Sequence, residues 1–481
     1  MRGIIPEAVP VLFSAELMLK IQNVFTLLFL ASSILGCNQI EKIVFGKKRP
    51  DHKDLRPCGE FLAELSADYQ HGFLAVPEDW DNPDSNKIEV FYYTKLGGTS
   101  SDQDNVVFFN GGPTGDSHSS YSVLEPLADE RDLDLVFIDQ RGTGCSTRYP
   151  AVETYPEMAR YAKWGSRAIV KDAEAVRAHL FGEESRWKVF GQSYGALIAH
   201  RYWQVAPQSV ISSHAHGFAL MKEYDLWLKE RILNQKVAGE EFVKRYPSVN
   251  DSMKKIRENL TSLDCLEKET EKLCDDEIMD MFFDYLGWTE HWSGFSYFLE
   301  TFASALEADK ESAKKKLMAH LSGESDDESE YAGIAGLVIS TMEMRGTKYT
   351  SDTPLDTCTR VLKELESDGH NLSDWLFNEC RRNVSWKSTD NKSGSTYSLR
   401  NSLEEYIPHD PIPFDDLKDS FSQYQDRPFY LYSGKFDAYV PPATFKEEVE
   451  ALGELIQYKE FPTTAHGGFY TETEVWENLE K

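Results

Sequence analysis

Gly191, Gln192, Ser193, Tyr194 and Gly195 form a Gly-x-Ser-x-Gly pentapeptide. A serine hydroxyl is a weak nucleophile by itself. It attacks a carbonyl when a base takes its proton, an acid orients that base, and N–H donors hold the developing oxyanion. The pentapeptide offers the hydroxyl. Its two glycines suit a turn where a strand and a helix pass too close for a side chain at either position. Partners must come from elsewhere. Asp437 in "SGKFDAYVPP" follows one late apolar run, and His466 in "TTAHGGF" follows the next. His466 is the only histidine after Asp437. His200, His214 and His216 are weaker base candidates, because they lie too early in the chain. The glycines of "FFNGGPTGDS", Gly111 and Gly112, can point N–H groups at a substrate oxygen. The expected oxyanion pair is the amide of Gly112 with that of Tyr194.

Such a site needs a rigid scaffold, and the flanking runs describe one. Strand-like segments are expected at 87–96, 105–112, 133–142, 187–191, 209–218, 427–434 and 455–462, and helices at 168–181 and 194–205. Strands alternating with helices predict a mostly parallel sheet with helices on both faces. Ser193 falls at a strand-to-helix junction, where the helix N-terminus favours negative charge. In the α/β-hydrolase fold the nucleophile sits there, and the chain order is Ser, then Asp or Glu, then His. Ser193, Asp437 and His466 obey that order.

The segment between breaks the alternation. It is helical and rich in aromatics and charge, as in "DDEIMDMFFDYL", and is interrupted by acidic or polar loops such as "SGESDDESE". The expected organisation is a first core part at 55–218, a large helical cap at 219–415 inserted before the last strands, and a last core part at 416–481.

The formal net charge of -29 repels nucleic-acid phosphates, so no nucleic-acid partner is expected. The 41% hydrophobic and 12% aromatic content is enough for packed cores. "MLKIQNVFTLLFLASSILGC", starting at Met18, has the positive start and short apolar stretch of an export signal. It ends at Cys37 in a bacterial lipobox-like pattern, with Met18 as the expected true start. Residues 1–37 are therefore expected to be an N-terminal extension and lipoprotein signal peptide, and 38–54 a linker. Cys37 would carry lipid and anchor an exported cell-envelope protein to a bacterial membrane, periplasm-facing or in the outer membrane. Six further cysteines permit three disulfides. The local pairs are Cys265 with Cys274 and Cys358 with Cys380, which leaves Cys58 with Cys145. No Cys-x-x-Cys pair is present, and no metal or organic cofactor is expected.

"NGGPTG", "DQRGTGCS" and "GQSYGA", in this order, resemble the α/β-hydrolases of the prolyl and tripeptidyl aminopeptidase family. "VPEDWDNPDSNKIEVFYY" is similar to that family's entry segment. The likeness covers about 58–217 and 427–469. Asn110 stands where the prolyl branch has histidine, Thr114 interrupts the usual glycine run, and Gln192 replaces a common glycine. The resemblance implies peptide hydrolysis from a free N-terminus, without a cofactor. It also implies a cap carboxylate for the substrate ammonium, for which Glu223, Asp225 and Glu230 in "FALMKEYDLWLKE" are candidates. Asp139 and Arg141 are expected to form a charge pair beneath the oxyanion turn. Two rival readings are an esterase or other acyl hydrolase on the same scaffold, and a non-catalytic binding lipoprotein.

Overall fold

The computed structural model describes residues 58–95, 105–152, 154–221, 224–260, 266–268, 271–273, 285–310, 313, 327–344, 354–369 and 406–481. The expected signal, linker and lipid-bearing Cys37 lie outside the described residues, as do Glu223, Cys265, Cys274 and Cys380. The side chains of Asp225 and Cys358 also lie outside them.

Ten strands are described: β1 (Gln70–Pro77), β2 (Lys87–Thr94), β3 (Asn105–Phe109), β4 (Asp134–Ile138), β5 (Trp187–Gln192), β6 (Val210–His216), β7 (Leu266–Lys268), β8 (Glu271–Leu273), β9 (Phe429–Gly434) and β10 (Gln457–Phe461). Eight of them form one sheet in the order β1-β2-β4-β3-β5-β6-β9-β10. β1 runs antiparallel to β2, and β2 antiparallel to β4. All other pairings in that sheet are parallel. β7 and β8 form a separate small hairpin.

Successive strand residues face opposite sides, and here both sides are covered. Val107, Phe109, Val136, Ile138, Val189 and Leu431 join a core with helices α3 (Ser166–Phe181), α4 (Tyr194–Val205) and α10 (Phe414–Gln423). Val106, Phe108, Leu135, Phe137, Phe190 and Tyr432 join another with α2 (His118–Asp129) and α12 (Thr473–Glu480). Every residue of β3 and β5 is buried, which is why these strands read as continuous apolar runs rather than alternating ones. The short helix α1 (Cys58–Glu64) is tied to the core by a disulfide from Cys58 to Cys145, with Cα atoms 5.3 Å apart.

β1 is an edge strand that the sequence pattern does not announce. Its outer half is exposed, Phe73 is 40% exposed, and Gly72 and Pro77 weaken its strand character. At Gly72 the Tyr92 hydroxyl crosses the strand, 2.5 Å from where a Cβ would sit.

Between β6 and β9 the chain forms α5 (Tyr224–Arg245), α6 (Ser248–Leu260), α7 (Trp292–Ala308), α8 (Asp327–Glu343) and α9 (Pro354–Ser367). Phe242, Ile256, Trp292, Phe295 and Leu299 from this segment share a core with Phe436, Ala438 and Ala465. Helices α5, α6 and α7 therefore pack on the two loops that carry Asp437 and His466. The last helix of the core between those loops is α11 (Phe445–Leu452).

Candidate functional site

Ser193 follows β5 and caps α4 with φ 55° and ψ -120°, a backbone conformation uncommon for a residue with a Cβ. Such a conformation costs of order 1–3 kcal/mol and persists only where the surroundings enforce it. The enforcement is steric. A Cβ on Gly191 would lie 2.0 Å from Gly195 O, and one on Gly195 would lie 2.0 Å from Phe109 O. Strand, turn and neighbouring strand are thus in backbone contact, and Ser193 is held above them. Its own N–H donates to His216 O at 2.8 Å.

Asp437 and His466 sit on the loops after β9 and β10. His466 Nδ1 donates to Asp437 Oδ2 at 2.7 Å, with both side chains buried. The other carboxylate oxygen, Oδ1, accepts from Tyr439 N–H (2.9 Å) and Val440 N–H (2.8 Å). An acceptor on Nδ1 keeps the proton there and leaves Nε2 as the basic nitrogen. From α5, Asn234 Nδ2 donates to Asp437 O at 2.6 Å and Trp227 Nε1 to Tyr439 O at 3.1 Å. His466 N–H donates to Gly287 O at 2.8 Å, and Trp288 meets its ring edge-on at 5.8 Å. Gln192 Nε2 donates to His466 O at 3.4 Å, joining the serine turn to the histidine loop. The three expected residues are thereby brought to one end of the sheet, beyond the C-terminal ends of β5, β9 and β10.

The turn after β3 packs against Ser193. A Cβ on Gly111 would lie 2.9 Å from Ser193 Cβ. The Gly111 amide is occupied by Asn110 Oδ1 at 2.8 Å. Among the described residues the amide of Gly112, with φ 121°, has no acceptor, and neither has that of Thr114, so the expected oxyanion donor is open. Asn110 also pins the loop, with Nδ2 donating to Asp116 O at 2.6 Å and Ser119 Oγ at 3.0 Å. The Tyr194 amide begins α4 and has no preceding turn to bond.

The "DQRGTGCS" loop braces this turn, but not by the expected pair. Asp139 accepts from Ser117 N (2.9 Å), Ser117 Oγ (2.6 Å) and Cys145 N (2.8 Å), and lies 2.9 Å from His118 Nε2. Arg141 turns away from it. Arg141 Nε and Nη2 donate to Asp172 on α3 at 2.7 and 2.5 Å, and its remaining donors reach carbonyls of Pro77, Glu78 and Lys163. A buried guanidinium is best met by a bidentate carboxylate, and Asp172 on α3 matches its fork geometry.

The early histidines have other places. His200 is held between Glu448 Oε1 and Ala196 O, each at 2.7 Å. His214 meets Ser212 Oγ at 3.0 Å and stacks on Tyr430. His216 is fully buried beside His466. Burial, then the His466 charge, pushes its pKa down to about 3, so it stays neutral.

Of the expected ammonium-binding carboxylates, Asp225 and Glu230 lie on α5, with Glu230 half-buried beside Lys229. A different carboxylate lies closer to the histidine. Glu290, after Trp288, fills the space over Gly467, where a Cβ would lie 1.7 Å from Oε1. Oε1 is shut off from solvent and has no hydrogen-bond partner among the described residues. Burial pushes the Glu290 pKa up to about 7, against the opposing pull of its own amide, Thr289 and the His466 charge. The sequence carries one faint signal for it, the paired glycines after His466 that permit a close approach.

A family model described as the alpha/beta hydrolase fold matches residues 104–266. With the sheet order above, this settles the architecture. The chain has the α/β-hydrolase fold. Its core is similar to proline iminopeptidases. A protein named "Probable proline iminopeptidase" from Leptolyngbya boryana is 29% identical over 162 residues, 34% of this chain and 43% of that one. The proline iminopeptidase of Arabidopsis thaliana is 31% identical over 144 residues, 30% of this chain and 34% of that one. The match thus spans less than half the length of these curated relatives. A solved proline iminopeptidase from Mycobacterium smegmatis superposes with a TM-score of 0.38 at 16% identity, over 85% of this chain and 97% of that one. Among the described residues no helix is long and apolar enough to cross a membrane.

Proposed function

We propose that this α/β hydrolase is a serine aminopeptidase that cleaves peptides from a free N-terminus. In this reading His466 Nε2 takes the Ser193 hydroxyl proton as the oxygen bonds to the scissile carbonyl carbon. The carbonyl π electrons move onto oxygen, and the amides of Gly112 and Tyr194 hold that oxyanion. His466 returns the proton to the departing amine, which leaves an acyl-enzyme. Water, deprotonated by His466, then releases the N-terminal fragment and restores Ser193. Asp437 holds the imidazole tautomer and stabilises its charged form. The observation that carries the proposal is the buried Asp437–His466 bond joined through Gln192 to a serine on a sterically enforced turn.

Glu290 favours an amine-bearing substrate over a simple ester. An α-ammonium would give the enclosed Oε1 the charged donor it lacks. The named relatives point the same way. The substrate is thus a peptide, bound beneath a cap formed by α5 to α9. We further propose export and lipid attachment at Cys37, on the strength of the apolar stretch and lipobox-like ending.

Ser193→Ala, judged folded by circular dichroism, should lose hydrolysis of aminoacyl anilides and labelling by a fluorophosphonate probe. Activity persisting in the pure variant would overturn the assignment. Wild-type protein should cleave free-amine anilides and spare their N-acetylated forms. Equal rates on both would instead support the ester-hydrolase reading.

A further inference from the structure

Among the buried carboxylates that the mechanism above does not use, one bonds the residue that follows the serine. Glu343, the last residue of α8, is 4% exposed. Its Oε2 accepts from the Tyr194 hydroxyl at 2.7 Å. Its Oε1 accepts from Ser166 N and Ser166 Oγ, both at 2.9 Å. The charged group closest to it is Arg201 of α4, whose Nη2 lies 3.9 Å from Oε1 and whose Nε donates to Ser166 Oγ at 2.9 Å. Arg201 in turn reaches Asp410 O at 2.6 Å, and the Asp410 amide donates to Met342 O at 3.0 Å, which closes the ring back onto α8.

Burying a carboxylate that meets its cation only at 3.9 Å is a poor source of stability, since apolar side chains would fill the space at lower desolvation cost. What the arrangement does supply is position. Tyr194 carries the amide assigned to the oxyanion, and its phenol is fully buried with the hydroxyl on Glu343. The same helix also meets the other half of the hole. A Cβ built on Gly336 of α8 would have Thr114 Cγ2 at 3.6 Å and Pro113 O at 3.7 Å as its nearest neighbours. One helix from the segment between β6 and β9 therefore abuts both turns that present the oxyanion amides.

We infer that Glu343 is a positioning residue for the oxyanion hole, fixing the Tyr194 amide through the Tyr194 hydroxyl, with α8 as the strut behind both donors. The inference rests on the serine-hydrolase reading. It separates α8 from α5, α6 and α7, which pack on the Asp437 and His466 loops, and from α9, which packs on α5.

A cycle of Tyr194→Phe, Glu343→Gln and the double variant tests it in the full chain, together with Glu343→Ala. The readouts are kcat and KM on p-nitrophenyl acetate and the rate of fluorophosphonate labelling, with folding checked by circular dichroism. A displaced oxyanion donor lowers kcat rather than KM. Glu343→Ala is expected to lower kcat and labelling about 10- to 100-fold, with KM within about threefold. Glu343→Gln keeps an acceptor and should lose less. Once Tyr194→Phe has removed the hydroxyl, adding Glu343→Gln should cost kcat nothing further, because the link it acts through is already gone. Multiplying effects, a change confined to KM, or variants that label at the wild-type rate would overturn the inference. If Glu343→Ala fails to fold, the cycle of the milder variants decides. Wild-type protein that neither labels nor hydrolyses would overturn the hydrolase reading and this inference with it.

Discussion

Glu290→Gln should make the protein more stable and less able to hold its substrate. The wild-type pKa is raised from 4.5 to about 7, chiefly by burial. The folded state therefore binds this proton more tightly than the unfolded chain. The stability tied to it is full below the unfolded value of 4.5 and is lost as pH rises through about 7. At about 1.4 kcal/mol per pH unit, the ionised carboxylate costs the folded protein up to roughly 3 kcal/mol at pH 8. The residue keeps some contact with water, so roughly 1–3 kcal/mol is expected after screening. Glutamine has no such titration. Thermal melts at pH 8 should place the variant on the order of 2–5 °C above wild type, and melts near pH 4 should coincide. Activity should move the other way. Losing a charge-assisted bond of about 1.5–3 kcal/mol to the substrate ammonium raises KM for a free-amine anilide about 10- to 100-fold, and leaves an N-acetylated ester unchanged. For wild type, kcat/KM on the free amine relative to the ester should fall below pH about 7, as Glu290 protonates. It should fall again above about 8, as the substrate amine deprotonates. Glu290→Gln should flatten the acid limb of that ratio. A variant with unchanged KM for the free amine and unchanged melting at pH 8 would refute both the burial and the ammonium arguments.

Other outcomes follow from the same geometry. Asp437→Asn keeps an acceptor for Tyr439 and Val440 but can present its amide N–H₂ to His466, favouring the wrong tautomer; kcat should drop by about 10⁴ with the fold retained, and activity within tenfold of wild type would exclude the orienting role. Gly195→Ala drives a Cβ to 2.0 Å from Phe109 O, so soluble expression and melting temperature should collapse, whereas a near-wild-type melt would show that the turn can relax. Cys58→Ser with Cys145→Ser opens a link across 87 residues and should cost about 2–5 kcal/mol in denaturant unfolding; an unchanged midpoint would mean that helix α1 contributes nothing to the core.

Much of the scaffold could be read from local pattern. β3 is a short apolar run with Gly111 and Gly112 soon after it, β5 is another that reaches Gly191, and α4 follows its serine with helical spacing. β1 could not be read, because an edge strand with exposed residues and an internal glycine has little β character until β2 pairs with it. The partner of Arg141 is likewise hidden from local pattern. Asp139 is two residues away in the chain, but β4 ends at Ile138 and the backbone turns through Gln140–Thr143, so strand spacing no longer places the two side chains together, and the matching carboxylate lies on α3. The expected ammonium candidates lie where the chain enters its helical segment, and the enclosed Glu290 reaches Gly467 from farther along that segment, a placement that no local pattern announces.

The sequence by itself determined the reactive set, because Gly-x-Ser-x-Gly, a late aspartate and a lone late histidine are covalent facts of type and order. It also determined the sheet's central strands, whose burial on both faces leaves its mark in composition. Only the tertiary structure decided what surrounds that set. Glu290 near His466, Glu343 under Tyr194 and Asp172 on Arg141 depend on helices packing across distant stretches of chain. Neither spacing nor composition records which buried charges the fold brings into contact.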